Sequence, residues 1–138
     1  MTMIDRSAPH EIDIEIRASD IDMMGHVNNT VYLRWVQDAA TAHWDVIATD
    51  EDQANLLWIV ARHEIDYKRP AYAGDDAVAR TWLGAATGAF YERHTEILRR
   101  RDGQLLARAL TLWCPLDAAT RKPVRLTPAQ RKRYTGQG

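Results

Sequence analysis

"DIDMMGHVNNTVYLRWVQDAATAHWDVI", residues 20–47, decides how the rest of the chain can be arranged. Its first third is polar and holds Gly25, so residues 18–28 read as a loop. From about Thr30 to Ile47 the apolar residues Val31, Trp35, Ala39, Ala42 and Val46 recur at intervals of three and four, which predicts one amphipathic helix. Asn28 or Asn29 can cap its start, because a short side-chain carbonyl accepts one of the amide hydrogens that a helix leaves unpaired.

Outward from this helix the chain reads as strands. HEIDIEIR, residues 10–17, alternates isoleucine with charge, the signature of a strand with one apolar face. Leu56–Tyr67, Ala77–Ala86, Phe90–Arg100 and Leu105–Cys114 follow, with a hairpin turn at Asp102-Gly103 and Pro115 expected to stop the last strand. After Thr127-Pro128 a basic tail suits one or two helical turns. Strand, long helix, then four strands predict an α+β fold: an antiparallel sheet packed on one central helix. Trp35 and Trp44 on the helix, and Trp58, Trp82 and Trp113 on strands, supply bulky filling between the layers.

Length and composition narrow the function. The 138 residues suit a single domain over residues 1–138. A formal net charge of −1 argues against a nucleic-acid partner. The N-terminus has no apolar leader core and no apolar run approaches the ~20 residues that span a bilayer, so no membrane partner and a cytoplasmic location are expected. The one cysteine, Cys114, forms no intramolecular disulfide and sits in an apolar strand with no His near it in sequence, which makes it a poor nucleophile. Ser7 and Ser19 are the only serines and neither lies in a G-x-S-x-G turn, which argues against a hydrolase built on a serine nucleophile elbow.

The polar cluster before the helix carries the chemistry. Asp22 lies a few residues ahead of a helix start, whose free N–H groups and partial positive charge stabilise an anion. A carboxylate beside such an end can act as a nucleophile or activate water, while the N–H groups polarise a carbonyl. The plainer reading is that Asp20, Asp22 and the Asn pair build a tight loop and cap the helix. His26 is a base, a ligand or a loop donor on these grounds. The Asp20, Asp22, His26 spacing matches no recurrent zinc pattern, so no metal is expected.

"SDIDMMGHVNNTVYLRWVQDA", residues 19–39, resembles the D-x-D-x-x-G-H-V-N-N-x-x-Y signature of hotdog-fold acyl-CoA thioesterases of the 4-hydroxybenzoyl-CoA thioesterase-like group. "HEIDYKRPAYAGD", residues 63–75, and "LLARALTLWCPLDAATRKPVRL", residues 105–126, are similar to that group's second strand and to its last strand and tail. The resemblance implies a hotdog fold and hydrolysis of an acyl-CoA or acyl-carrier thioester to free acid. It puts the catalytic carboxylate at Asp22, the H-V-N-N run at His26–Asn29 and the carbonyl-polarising amide at Asn29. It implies no cofactor, because coenzyme A arrives as part of the substrate, and pairing as a homodimer or a dimer of dimers with substrate between subunits. In the related plant acyl-carrier-protein thioesterases the pattern is D-x-N-x-H-V-N-N. Here Met24 replaces that Asn, Gly25 precedes the His, and the further acid of those enzymes falls near Pro70, leaving Asp22 and the helix start without those partners.

Around this core of residues, Asn28, Tyr32, His63, Lys68 and Arg69 are the candidate substrate contacts. Lys68 and Arg69, in "YKRPAY", can meet the phosphates or pantetheine of coenzyme A, or simply be a solvated strand end. Arg99–Arg101 and the basic tail are alternatives. Tyr32 either lines the acyl channel or packs with a wet hydroxyl. His63 or Glu64 can face the site across a dimer, since strand alternation sends them to opposite faces. Two other functions use the same fold: a dehydratase or hydratase with His26 as base, and a non-catalytic acyl-thioester binding protein.

Overall fold

The structure is a computed structural model in which residues 8–136 are described. Ser7 and the N-terminal stretch read above as lacking a leader lie outside them. The element order is β1 (His10–Ile14), α1 (Asn29–Ile47), α2 (Asp50–Asn55), β2 (Leu56–Tyr67), β3 (Ala77–Thr87), β4 (Phe90–Arg99), β5 (Leu105–Asp117) and α3 (Pro128–Thr135). The five strands form one antiparallel sheet in the order β1-β3-β4-β5-β2, and α1 packs across β1, β3 and β4. Register shifts at Val60/Arg62, Leu83/Ala86 and Ile97/Leu98 mark irregularities of the bulge type, which bend strands and let a sheet curl. The α+β reading of one long helix against an antiparallel sheet holds.

Asn28 caps α1: its Oδ1 accepts the Thr30 N–H at 3.0 Å and the Thr30 hydroxyl at 2.9 Å. The buried face differs from the expected stripe. Tyr32, Trp35, Val36, Ala39, Ala40, His43 and Ile47 are buried, Val31 and Ala42 are half-buried, and Val46 points to solvent. Tyr32 and His43 look polar in a binary pattern, yet both rings go into the core, and they turn the helix by about one residue.

Three other boundaries move. β1 pairs only as far as Ile14, because the Asp20 carboxylate takes the Arg17 N–H at 2.9 Å and Ala18–Asp20 winds into a 3-10 turn. α2 was not foreseen; Thr49 caps it by accepting the Asp52 N–H at 3.1 Å, and three acids in its first turn suit the positive end of a helix. Pro115 does not stop β5. The pairing with β4 ends at Trp113, so Pro115 needs no N–H toward that side, and it pairs with Trp58 on the other. The basic tail forms α3, capped by Thr127 and Gln130 as Thr-Pro suggested.

The core has two halves along α1. Val27, Tyr32, Trp35, Ala39, Ala79, Ile97, Leu106 and Ala107 close off the first. Ile47, Leu56, Tyr91, Leu126 and Tyr134 form the second, with Trp44 and Trp58 packed against it. Trp82 lies outside both, stacked on His94 at 5.6 Å.

Candidate active site

The two acids that open the polar cluster take different roles. Asp20 is 2% exposed and holds Arg34 in a fork, Nη1 to Oδ1 at 3.0 Å and Nη2 to Oδ2 at 2.8 Å. The Arg34 hydrogen bonds outweigh burial and hold its carboxyl below the ordinary 3.8. Its carbonyl accepts the Asn28 N–H at 2.8 Å, so this ion pair fixes where α1 begins. Asp20 is thus committed to structure.

Asp22 is not. Its Oδ1 accepts the N–H groups of Met24 at 2.9 Å and His26 at 3.1 Å, while Oδ2 has no hydrogen bond and the carboxylate no ion pair among the described residues. The chain turns tightly back over Asp22–Gly25, and Gly25 sits at φ +81, a region where a side chain is strained. The loop is pinned from outside as well: the Val27 N–H donates to the Ala71 carbonyl at 2.8 Å, and the His26 ring meets Tyr72 edge-on at 5.0 Å. One carboxylate oxygen is therefore oriented by the backbone and the other left open.

Both the Asp22 carboxylate and the start of α1 line one cleft of about 470 Å³, together with Met24, His26, Asn28, Tyr67 and Pro70. At that start Thr30 N–H is taken by the cap and Val31 N–H by the Asn28 carbonyl, while the Asn29 N–H makes no hydrogen bond among the described residues. Asn29, not Asn28, thus offers the free amide. Lys68 and Arg69 border the same cleft, exposed and without ion pairs among the described residues, their amides anchored on the Leu106 carbonyl at 2.8 and 3.1 Å.

Tyr32 reaches the cleft only as its floor: it is 2% exposed and its hydroxyl accepts the Ala71 N–H at 3.1 Å, so it is a pillar that holds the opposite wall. His63 does not line this cleft in its own subunit. It lies against Thr111, Nδ1 to Oγ1 at 2.9 Å, and burial lowers its pKa. Tyr67 is the cleft residue that sequence reasoning passed over; its hydroxyl donates to the Asn29 carbonyl at 3.0 Å and its ring stands edge-on to Tyr32. Its place just before Lys68 in the quoted strand was the available signal. No group of three or more His, Cys, Asp or Glu able to hold a metal occurs among the described residues.

An antiparallel sheet packed on one long helix, with a cleft where that helix begins, is the arrangement of a hotdog fold, and the relatives of the chain make it a thioester hydrolase. This chain belongs to the thioesterase-like superfamily, whose family model matches residues 16–134. It is similar to the long-chain acyl-CoA thioesterase FadM of Escherichia coli, 26% identical over 84% of this chain and 89% of that one. It is also similar to a Thermus thermophilus thioesterase solved with coenzyme A and zinc, with a TM-score of 0.77 and 26% identity over 90% of each chain. A third relative is the chloroplastic palmitoyl-acyl carrier protein thioesterase of Gossypium hirsutum, 26% identical over 82% of this chain but only 27% of its own length.

Proposed function

We propose that the protein hydrolyses an acyl-CoA thioester in the cleft at the start of α1, with Asp22 as the carboxylate base or nucleophile and the Asn29 N–H polarising the carbonyl. The observation that carries this reading is the shared cleft: an open carboxylate oxygen and a free helix-start amide both face it. In that geometry negative charge developing on the carbonyl oxygen meets a donor already in position, so little reorganisation is needed during reaction. Asp22 either takes a proton from attacking water or attacks the carbonyl itself, giving an anhydride that water then opens. His26 borders the reacting centre and can carry a proton to or from it. Lys68 and Arg69 attract the phosphates of coenzyme A to the rim, as screened surface charges do.

No cofactor of its own enters this reading. The substrate class follows the acyl-CoA thioesterase FadM and the coenzyme A bound to the Thermus protein. An acyl carrier in place of coenzyme A suits the same cleft. Two copies pairing along β2 are part of the proposal: it is an edge strand of twelve residues that leaves Leu57, Ile59 and Tyr67 exposed. His63 contributes to a site, in this reading, only across such a pair. The unpaired thiol of Cys114 suits a cytoplasmic enzyme.

The test is thiol release from a series of acyl-CoA thioesters by wild type and Asp22→Asn. The amide oxygen of Asn still accepts the Met24 and His26 N–H groups, so the loop keeps its shape while the base is lost. Turnover is expected to fall at least ~10²-fold. Turnover within a few-fold of wild type would remove Asp22 from the chemistry, and loss of enoyl-thioester absorbance without thiol release would mark a hydratase.

A further inference from the structure

A second cavity, of about 210 Å³, lies under the far half of α1, between Trp44, Trp58, Tyr91, Arg93, Trp113 and Tyr134. It is not the end of the thioester cleft. Trp44 follows Asn29 by fifteen residues, roughly 22 Å along a helix. Between the two lie Ala39, Ala79, Ile97 and Ala107, none more than 1% exposed, which close the interior.

The wall is mostly aromatic and aliphatic, with Thr41 and Thr135 beside it, and it holds one cation. Arg93 is 4% exposed and touches no carboxylate among the described residues. Its Nη1 donates to His43 Nδ1 at 2.9 Å and to Thr81 Oγ1 at 3.1 Å, both neutral acceptors. Nε and Nη2 have no partner among the described residues. Burial pulls Arg93 from 12.5 down to about 10, which still leaves it charged at neutral pH. The indole N–H groups of Trp58 and Trp113, in the same wall, are also buried without acceptors. A buried charge with no counter-ion is unfavourable, and a guanidinium is relieved best by a carboxylate that takes two of its N–H groups at once.

We propose that this cavity is a binding site for a small aromatic carboxylate, its acid group on Arg93 and its ring among Trp44, Trp58 and Trp113. An apolar cavity of about 150 Å³ accommodates benzene, so the present volume suits a one-ring acid the size of benzoate. The ring meets indole and phenol edges already arranged at 5.4 Å (Trp44–Trp58) and 5.7 Å (Trp58–Tyr91), and the carboxylate supplies an anion that the described residues do not place there. The site stands apart from the hydrolysis proposed above and needs no turnover.

Three tryptophans in the wall provide the readout. Benzoate titrated into the whole protein is expected to change tryptophan fluorescence saturably, and benzamide, its uncharged isostere, to bind at least tenfold more weakly. Arg93→Met should lose benzoate affinity at least tenfold. Thr41→Trp, at the exposed rim, should block binding while leaving the buried wall unchanged, so the inference does not hang on a variant whose interior is disturbed. Asp22→Asn should bind benzoate as wild type does. Equal affinity for benzoate and benzamide, no saturable response in wild type, or a rise in KM for the thioester with added benzoate would each overturn a separate anion site. The last would make the cavity the far end of the cleft.

Discussion

His43 should make the folded chain sensitive to mild acid, and replacing it should remove most of that sensitivity. The ring is 2% exposed, accepts from Arg93 Nη1 at 2.9 Å and stacks on His10 at 5.4 Å. Burial first, then the charges of Arg93 and His10, pull its pKa from the ordinary 6.5 down to about 3. Between those values the unfolded chain binds a proton that the folded chain refuses. Stability is therefore full above 6.5 and falls as pH drops below it. Each pH unit inside that window is worth about 1.4 kcal/mol, so moving from pH 7 to pH 5 should cost about 2 kcal/mol. In His43→Gln the side-chain oxygen can still accept from Arg93, but it cannot be protonated. His63, also lowered by burial, adds a slope of the same sign that remains in both proteins. Urea unfolding of wild type and variant at pH 7 and pH 5 isolates the difference, because Asp20 and Asp52 are held below 3.8 and titrate outside this range. The wild type should lose about 2 kcal/mol more than the variant. Equal losses would show that His43 is protonated as easily inside the fold as outside it.

Asp52→Asn should loosen α3, since Asp52 accepts from Gln130 Nε2 at 2.8 Å, from Arg133 Nη1 at 3.0 Å and from the Tyr134 hydroxyl. A loss of about 2 kcal/mol in urea unfolding is expected at pH 7. Burial raises the Asp52 carboxyl, but the hydrogen bonds of Tyr134, Gln130 and Thr49 and the Arg133 charge bring it below 3.8. The contribution is therefore present above the ordinary carboxylate range and lost as pH falls through the lowered value, so the gap between variant and wild type should narrow in strong acid. Arg34→Leu leaves Asp20 buried without its cation and should cost about 3 kcal/mol, the low end for a broken buried pair because Arg34 is partly solvated. Thiol release should fall with it, since Asp20 positions Asn28; a variant as stable as wild type would show that Asp20 does not depend on Arg34.

Much of this was legible along the chain. The α+β order, the single long helix and the strand positions follow from local periodicity, and periodicity is a property of neighbours in sequence. Asp22, His26, Asn28, Asn29, Lys68 and Arg69 all border the cleft named for them, because a contiguous loop and one strand end were enough to assemble it. Tyr32 also lines it, as a buried pillar whose hydroxyl accepts the Ala71 N–H, while His63, expected to face a site only across a dimer, is set against Thr111 in its own subunit by sheet register.

What residue order by itself determined, then, is the order of the long helix and the strands, though not α2 or the strand ends, and the local loop that carries a carboxylate to a helix start. Tertiary packing alone decided which of two aspartates would be free: Asp20 meets Arg34 fourteen residues on and is neutralised, while Asp22 stays open. It alone also created a buried guanidinium without an anion among the described residues, since nothing in the order of residues shows that the partners of Arg93 on α1 and β3 would both be uncharged. Charge pairing across a fold depends on distance in space, and sequence records distance only along the chain.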